Sequence, residues 1–398
     1  RETGTGKLCN ASSNCSNITA YNELGQTWST PTIGKIRALV GATNTPPAVI
    51  FGGGYDPAED TVPPGSRTMG RAVYVVNGND GTVVGSWGPS QSGSYRTGGS
   101  ITTYSVPSQV TAINADFDSQ DFLDRIVVGD MGGNIWRFDI DDATPSNWRG
   151  LQLASLSANP LAEPKRKFFF PPAIAPQNGT GFLFHGVYIG SGDKEHPLLT
   201  QSSSPPVADD RFFMLMDDPS LNSSGSTPSS SGPSALATPI TIGNLIAIAN
   251  GSSSGPTPSS LDGMQGWARA LDTGEKVINA ASVFINQAQA RNSVRFGTFA
   301  PTAQLNACTP PGEGRLNEID SLSGTFFRLN GTAAPPSRYY TDFIGRGFVS
   351  TSQSLILDTG AGGKQQYNVV CIGPTCKFDN TGSIGIPAKI YWYLEPEQ

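Results

Sequence analysis

A basic face, a long apolar run, adjacent cysteines and more than a pair of histidines are all missing from this chain. Each absence removes a class of function. Lysine and arginine number 26 against 32 acidic residues, for a net charge of −6, and they form no cluster interleaved with aromatics. Gripping a phosphate backbone needs such a face, so nucleic acid is not an expected partner. No run of about 18 apolar residues occurs, so nothing here is expected to span a bilayer. The only histidines are His185 and His196, and neither has a Ser or Cys nucleophile motif nearby. They read as a strand histidine and an exposed loop histidine, and a hydrolase is not expected. The opening Arg1-Glu2-Thr3-Gly4 lacks the charged-then-apolar pattern of a signal peptide, as a mature or truncated chain would.

What the chain does have is punctuation. Its 47 glycines and 31 prolines separate short runs rich in Val, Ile, Phe and Tyr, and the apolar period is two-fold rather than helical. The expected class is all-β, as a sandwich, barrel or propeller. Cysteines stand at 9, 15, 308, 371 and 376. The spacings Cys9-x5-Cys15 and Cys371-x4-Cys376 suit two local disulfides, and hence an oxidising compartment. Zinc would prefer C-x2-C pairs and histidines. Cys308 is left over, either as a buried thiol or bonded to a segment outside this chain. The Asn-x-Ser/Thr sequons at Asn10, Asn17, Asn178, Asn222, Asn250 and Asn330 carry no weight in so Ser/Asn-rich a sequence.

From Trp28 the strand signals fall into groups of four. The first is Ser29–Ile36, Ala48–Gly54, Ala72–Asn77 and Thr82–Trp87, with a turn over 77–81. The second is Gln109–Ala115, Arg125–Asp130, Asn134–Ile140 and Leu151–Leu156. The third is Ala173–Ala175, Gly181–Gly190, Arg211–Met216 and Ile240–Ala249. The fourth is Trp267–Leu271, Lys276–Ile285, Val294–Ala300 and Leu316–Leu322. A less regular fifth takes in Gly347–Leu357, Gln366–Cys371 and Ala388–Leu394. A short helix is a candidate over Ala281–Arg291, without a strong cap or stripe. Repeated four-strand units predict a modified β-propeller of four-stranded antiparallel blades over 24–398, about five in number, behind an N-terminal extension (1–23) that carries the Cys9/Cys15 loop. Ser/Gly/Pro-rich inserts within 201–239 and at 251–260 cannot form a packed core and are expected as mobile rim loops.

One loop carries chemistry. Counting Asp116 as position 1, side-chain oxygens fall at 1 (Asp116), 3 (Asp118), 5 (Gln120) and 9 (Asp124), with the Phe122 carbonyl at 7. Every second residue of an EF-hand loop points inward around a hard cation in this way, so Ca²⁺ is the expected ion. The loop departs from the EF-hand at two places. Position 12 is Val127 instead of a bidentate Glu, so Asp124 must close the site. Position 6 is Asp121 instead of Gly. Mg²⁺ suits so flexible an all-protein cage poorly.

Directly after the loop comes Arg125-Ile126-Val127-Val128-Gly129-Asp130-Met131-Gly132-Gly133-Asn134-Ile135-Trp136-Arg137-Phe138-Asp139. Acidic loop, strand, Gly-Asp-x-Gly-Gly-Asn and x-Trp-Arg-Phe-Asp together closely resemble the signature stretch of PilY-type type IV pilus proteins. Leu24-Gly25-Gln26-Thr27-Trp28-Ser29-Thr30-Pro31 with Ala48–Tyr55, Val187–Asp193 and the region of Cys308 resemble further segments of that family, so the likeness runs over about residues 24–325. It implies a calcium-binding propeller at or near the pilus tip, extracellular and exported through the periplasm. It also implies minor pilins of the tip complex as partners, a host or abiotic surface as a possible target, and roles in pilus biogenesis and adhesion without enzymatic activity. By the same likeness calcium tunes the balance between pilus extension and retraction, and the ligands are Asp116, Asp118, Gln120, Phe122 and Asp124. Gln120 departs from the family's more usual Asp or Asn, and a neutral ligand weakens affinity. Family members also carry a blade or more before the Leu24 run, so the ring is expected to be incomplete here or completed by chain outside this numbering.

Two other extracellular propellers compete. A quinoprotein dehydrogenase needs vicinal cysteines, which are absent. An integrin-like adhesion propeller needs Asp-x-Asp-x-Asp-Gly loops in several blades, where only one convincing loop exists. Asp193, Asp217 and Asp218 read as turn residues, and the six tryptophans as blade packing rather than a sugar platform.

Overall fold

A computed structural model of the chain describes residues 7–9, 15–17, 19–41, 44–61, 65–91, 104–116, 121–157, 164–178, 183–200, 203, 207–217, 238–250, 252, 255–257, 261, 263–286, 291–302, 312–326, 341–351, 353–358, 364–372 and 375–380. In chain order the strands are β1 (Lys7–Cys9), β2 (Cys15–Asn17), β3 (Thr32–Gly34), β4 (Ala48–Gly52), β5 (Val73–Asn77), β6 (Val83–Trp87), β7 (Thr111–Ile113), β8 (Arg125–Gly129), β9 (Asn134–Asp139) and β10 (Arg149–Ser155). There follow β11 (Ala173–Asn178), β12 (Leu183–Gly190), β13 (Arg211–Asp217), β14 (Ile240–Thr241), β15 (Ile246–Ile248), β16 (Gly266–Ala270), β17 (Lys276–Val277), β18 (Ser282–Asn286), β19 (Arg291–Ala300), β20 (Glu313–Asp320), β21 (Thr341–Arg346), β22 (Gln353–Asp358), β23 (Lys364–Ile372) and β24 (Thr375–Asn380). The helical segments among the described residues are short 3-10 turns, so the chain is all-β as its two-fold apolar period predicts.

The chain divides into two compact units, one comprising Arg1–Leu153 with Ser220–Thr227 and the other Ala154–Pro219 with Pro228–Gln398. In the first, β3-β4-β5-β6 form an antiparallel four-stranded sheet, and β10-β9-β8-β7 run in order through a second. Both sheets turn apolar residues into one core that includes Ile50, Val75, Trp87, Val128, Trp136, Phe138 and Trp148. Trp87 lies 4.5 Å from the Phe138 ring and 6.1 Å from Trp148. Four of the tryptophans are therefore packing residues, since Trp267 is buried as well. Trp28 is the exception: it is 46% exposed and lies flat on Tyr55 at 4.4 Å. Trp392 lies outside the described residues.

In the second unit, β11-β12-β13-β16 are antiparallel and β15 joins β16 in parallel. Next in sequence is the sheet β17-β19-β20-β21, with β18 also on β19, and then β22-β23-β24. Phe212 and Phe296 stack at 3.8 Å in its core. Two expectations need correction. The Trp267 strand belongs to the third sheet instead of opening the fourth, because β13 pairs with it over five residues (Arg211↔Ala270 to Leu215↔Gly266). The expected strand over 240–249 is split by a one-turn cap, Thr241 N–H donating to Asn244 Oδ1 at 2.8 Å. Its first part, β14, pairs in parallel with the end of β10.

Nor do the described residues of 281–291 form the expected helix. Residues 282–286 are strand β18, paired with β19 from Ser282↔Arg295 to Asn286↔Arg291. A run with neither cap nor stripe yields to the ladder. The expected strand at Ala388–Leu394 and Cys308 lie outside the described residues, as do most residues of the Ser/Gly/Pro-rich inserts. Register sets Cys9 opposite Cys15 and Cys371 opposite Cys376. Directly opposed antiparallel residues have Cα atoms roughly 4.5–5.5 Å apart, within the span that a disulfide bridges.

Inside β8–β9 lies a buried ionic triad. Asp139 Oδ1 accepts from Arg125 Nε at 2.9 Å and from Arg137 Nε at 3.0 Å, and Arg137 also reaches Oδ2 at 2.8 Å. Burial alone would raise this carboxyl, but the Arg137 and Arg125 charges outweigh it and hold it at about 2. Its folded value lies below its unfolded one, so the stability it contributes is complete above about pH 4 and is lost as pH falls toward 2. Asp139→Ala removes the buried carboxylate that Arg125 and Arg137 share and should cost about 3–5 kcal/mol at neutral pH. Asp139→Asn should lose the pH 2–4 slope. Urea unfolding followed across pH checks both.

Candidate metal centre

The acidic loop joins β7 to β8, whose closing pair is Ile113↔Arg125. Asp124 is the last loop residue and is locked by its backbone: its N–H donates to the Ile113 carbonyl at 3.0 Å, and its carbonyl accepts from Ile140 N–H at 2.7 Å. Its side chain turns back into the loop, where Oδ1 accepts from Ala115 N–H at 2.6 Å. Only 1% of Asp124 is exposed, and among the described residues it forms no ion pair. Burial raises its carboxyl to about 7; the Ala115 hydrogen bond opposes the rise and the charge of Asp116 adds to it. Asp116 itself is exposed. A buried carboxylate pushed up by a second carboxylate of the same loop is a donor set that fits a hard dication.

Asp121 has φ = 55°, and it alone among the described non-glycine residues has a positive φ. It occupies the position where an EF-hand places glycine, and the loop takes the left-handed turn there without one, as Asp tolerates. Phe122 forms a parallel bridge with Lys35, and Leu123 N–H donates to the Lys35 carbonyl at 2.8 Å. Asp118 and Gln120 lie outside the described residues. Among the described residues no three His, Cys, Asp or Glu side chains converge as metal ligands.

The segment after the loop has a structural explanation of its own. Asp130 is fully buried, and its Oδ1 accepts from the N–H groups of Gly132 (2.8 Å) and Asn134 (2.9 Å). Its Oδ2 accepts from Asn134 Nδ2 and Trp136 Nε1, both at 2.9 Å. Gly133 supplies φ = 83° for the turn. Gly132 leaves room for the Tyr104 ring, which a Cβ would meet at 2.3 Å. Gly-Asp-x-Gly-Gly-Asn-x-Trp is thus a turn built around one carboxylate.

Sequence reasoning missed Asp141. Its buried Oδ1 has no hydrogen-bond partner among the described residues, and burial, with Asp139 second, raises its carboxyl to about 6. Only the acidic run Asp139-Ile140-Asp141-Asp142 hinted at it. Asp193 is more than a turn residue, since its Oδ2 lies 3.0 Å from both Lys167 Nζ and His196 Nδ1. His185 is buried in β12 as expected, while His196 is only partly exposed, at 24% of its side chain.

No protein-family model matches the chain, and no curated protein does. Among solved structures, the Pseudomonas aeruginosa PilY1 C-terminal domain superposes with a TM-score of 0.57 at 17% identity, over 92% of this chain and 74% of that one. The chain has the PilY1 C-terminal fold. The likeness read from the Asp116–Asp139 motifs thus agrees with a fold comparison that owes little to sequence identity. The four- and five-stranded, mostly antiparallel sheets are the blade-like units of that β-propeller-like architecture.

A buried carboxylate raised in this way costs stability as pH climbs from about 4 through 7. In calcium-free buffer, Asp124→Asn should therefore raise the melting temperature most at pH 8 and by a clearly smaller amount at pH 5. Calorimetric melts at the two pH values check this.

Proposed function

We propose that this chain is a calcium-binding β-propeller of a type IV pilus, acting at the pilus tip in pilus biogenesis and surface adhesion. The observation that carries the reading is the nine-residue loop with buried Asp124, set in a hairpin of a PilY1-like fold. Asp116, Asp118, Gln120, the Phe122 carbonyl and Asp124 would hold the ion, which would supply positive charge among the loop carboxylates. Asp124 closes the site because its backbone is fixed on both sides by the ladder. The chain's own work is to present a rigid sheet surface to a partner, and we assign it no catalytic role. Minor pilins are the proposed partners, with extension and retraction balanced through calcium occupancy. The setting is extracellular, after passage through the periplasm, where Cys9–Cys15 and Cys371–Cys376 would be oxidised.

Asp116→Ala and Asp124→Ala should each abolish calcium binding by titration calorimetry while preserving the circular dichroism spectrum; unchanged binding would defeat the site. The chain should also co-purify with minor pilins in a calcium-dependent way. Recovery of no pilus component, with or without calcium, would overturn the pilus assignment. Peptide mapping under non-reducing conditions should recover both disulfides.

A further inference from the structure

Strand β3 and the residues after it touch both limbs of the metal loop, although they contribute no ligand. Ahead of the loop, Thr32 Oγ1 donates to the Val110 carbonyl at 2.8 Å, next to the start of β7. Behind it, Lys35 takes Phe122 into a parallel bridge and accepts the Leu123 N–H through its carbonyl. The Arg37 guanidinium sits over the Phe122 ring, 5.0 Å from its centroid. Leu123 occupies the space beside Gly34, where a Cβ would lie 2.3 Å from Leu123 Cδ1 and 2.9 Å from Cγ. The same leucine packs against the apolar core that the two sheets share. β3 is held in turn by β4, from Thr32↔Ile50 to Gly34↔Ala48.

We infer that Gly34, the Lys35 backbone and Arg37 form a seat that pre-positions the closing half of the loop and thereby sets its cation affinity. The inference rests on the calcium reading above. Phe122 and Asp124 stand at positions 7 and 9 of the loop, and the seat grips the two residues, Phe122 and Leu123, that lead into Asp124. Ordering a loop costs conformational entropy at the moment of binding, so a half that is already fixed leaves less to lose. Groups that only orient ligands commonly change metal affinity by about 10–100-fold when removed. The absence of a side chain at Gly34 is what lets Leu123 reach the seat. The coupling also runs in the other direction: a cation bound in the loop favours the seated position of β3, since linkage between two such equilibria is reciprocal.

Titration calorimetry with CaCl₂ tests this on the full chain. Gly34→Ala should bind calcium about tenfold or more weakly, with every ligand intact. The double variant Gly34→Ala/Leu123→Ala, which restores the space, should recover part of that loss, whereas general damage to the fold would not be rescued. In calcium-free buffer, hydrogen exchange at the Leu123 amide should be slow in the parent and fast in Gly34→Ala. If Gly34→Ala fails to fold, Leu123→Ala alone removes the packing without a clash and should still weaken calcium binding, by about as much as the double variant and by less than the clash. Parent-like affinity in a folded Gly34→Ala protein, or a Leu123 amide as fast in the parent as in the variant, overturns the seat. A parent that binds no calcium but protects Leu123 overturns the calcium reading instead, so the two failures are separable.

Discussion

Three buried charges hold the hairpin on which everything near the loop depends. Arg125, Asp139 and Arg137 are drawn together by the register of β8 on β9, in which Arg125 stands directly opposite Asp139. Two guanidinium groups on one carboxylate hold it low, so it stays ionised at any ordinary pH. Arg125 is also the residue after Asp124, so the strand that positions the proposed closing ligand is anchored at its first position. At the far end of the same hairpin, Asp130 organises the turn by accepting from Gly132, Asn134 and Trp136. A carboxylate at each end thus fixes the hairpin.

These two aspartates show why part of the site could be read from sequence and part could not. Asp116 and Asp124 declare themselves through alternate spacing, a local property that survives without any knowledge of the fold. Asp139 and Asp130 owe their roles to partners brought close by a hairpin, and sequence offered them only as members of a motif. Asp141 was invisible for the same reason, because what marks it is burial. The strands of the first two sheets were legible because their apolar residues alternate and turn residues such as Asn77–Gly81 bound them. Grouping failed where the chain departs from nearest-neighbour order, as with β16 on β13 and β14 on β10.

Charge is handled differently in the second unit. There Lys167 pairs with Asp193, and Arg166 and Arg211 converge on Asp209. Asp210, fully buried, is raised to about 7 by burial even though Ser191, Lys276 and Arg166 oppose the rise. The strands bring these groups together from separate stretches of the chain, Arg166 and Asp209 being 43 residues apart, into a network that fixes strand ends. In the first unit Asp124 is buried beside a second carboxylate and, among the described residues, forms no ion pair. That arrangement is the physical support for the proposed cation site at the loop.

The most direct test of the account is a crystal structure of the chain grown in millimolar calcium, with anomalous data to identify the ion. The account predicts one ion ligated by Asp116, Asp118, Gln120, the Phe122 carbonyl and Asp124, at the roughly 2.3–2.6 Å distances that calcium takes to oxygen. A loop that binds no ion under those conditions, or an ion held by other residues, would contradict it.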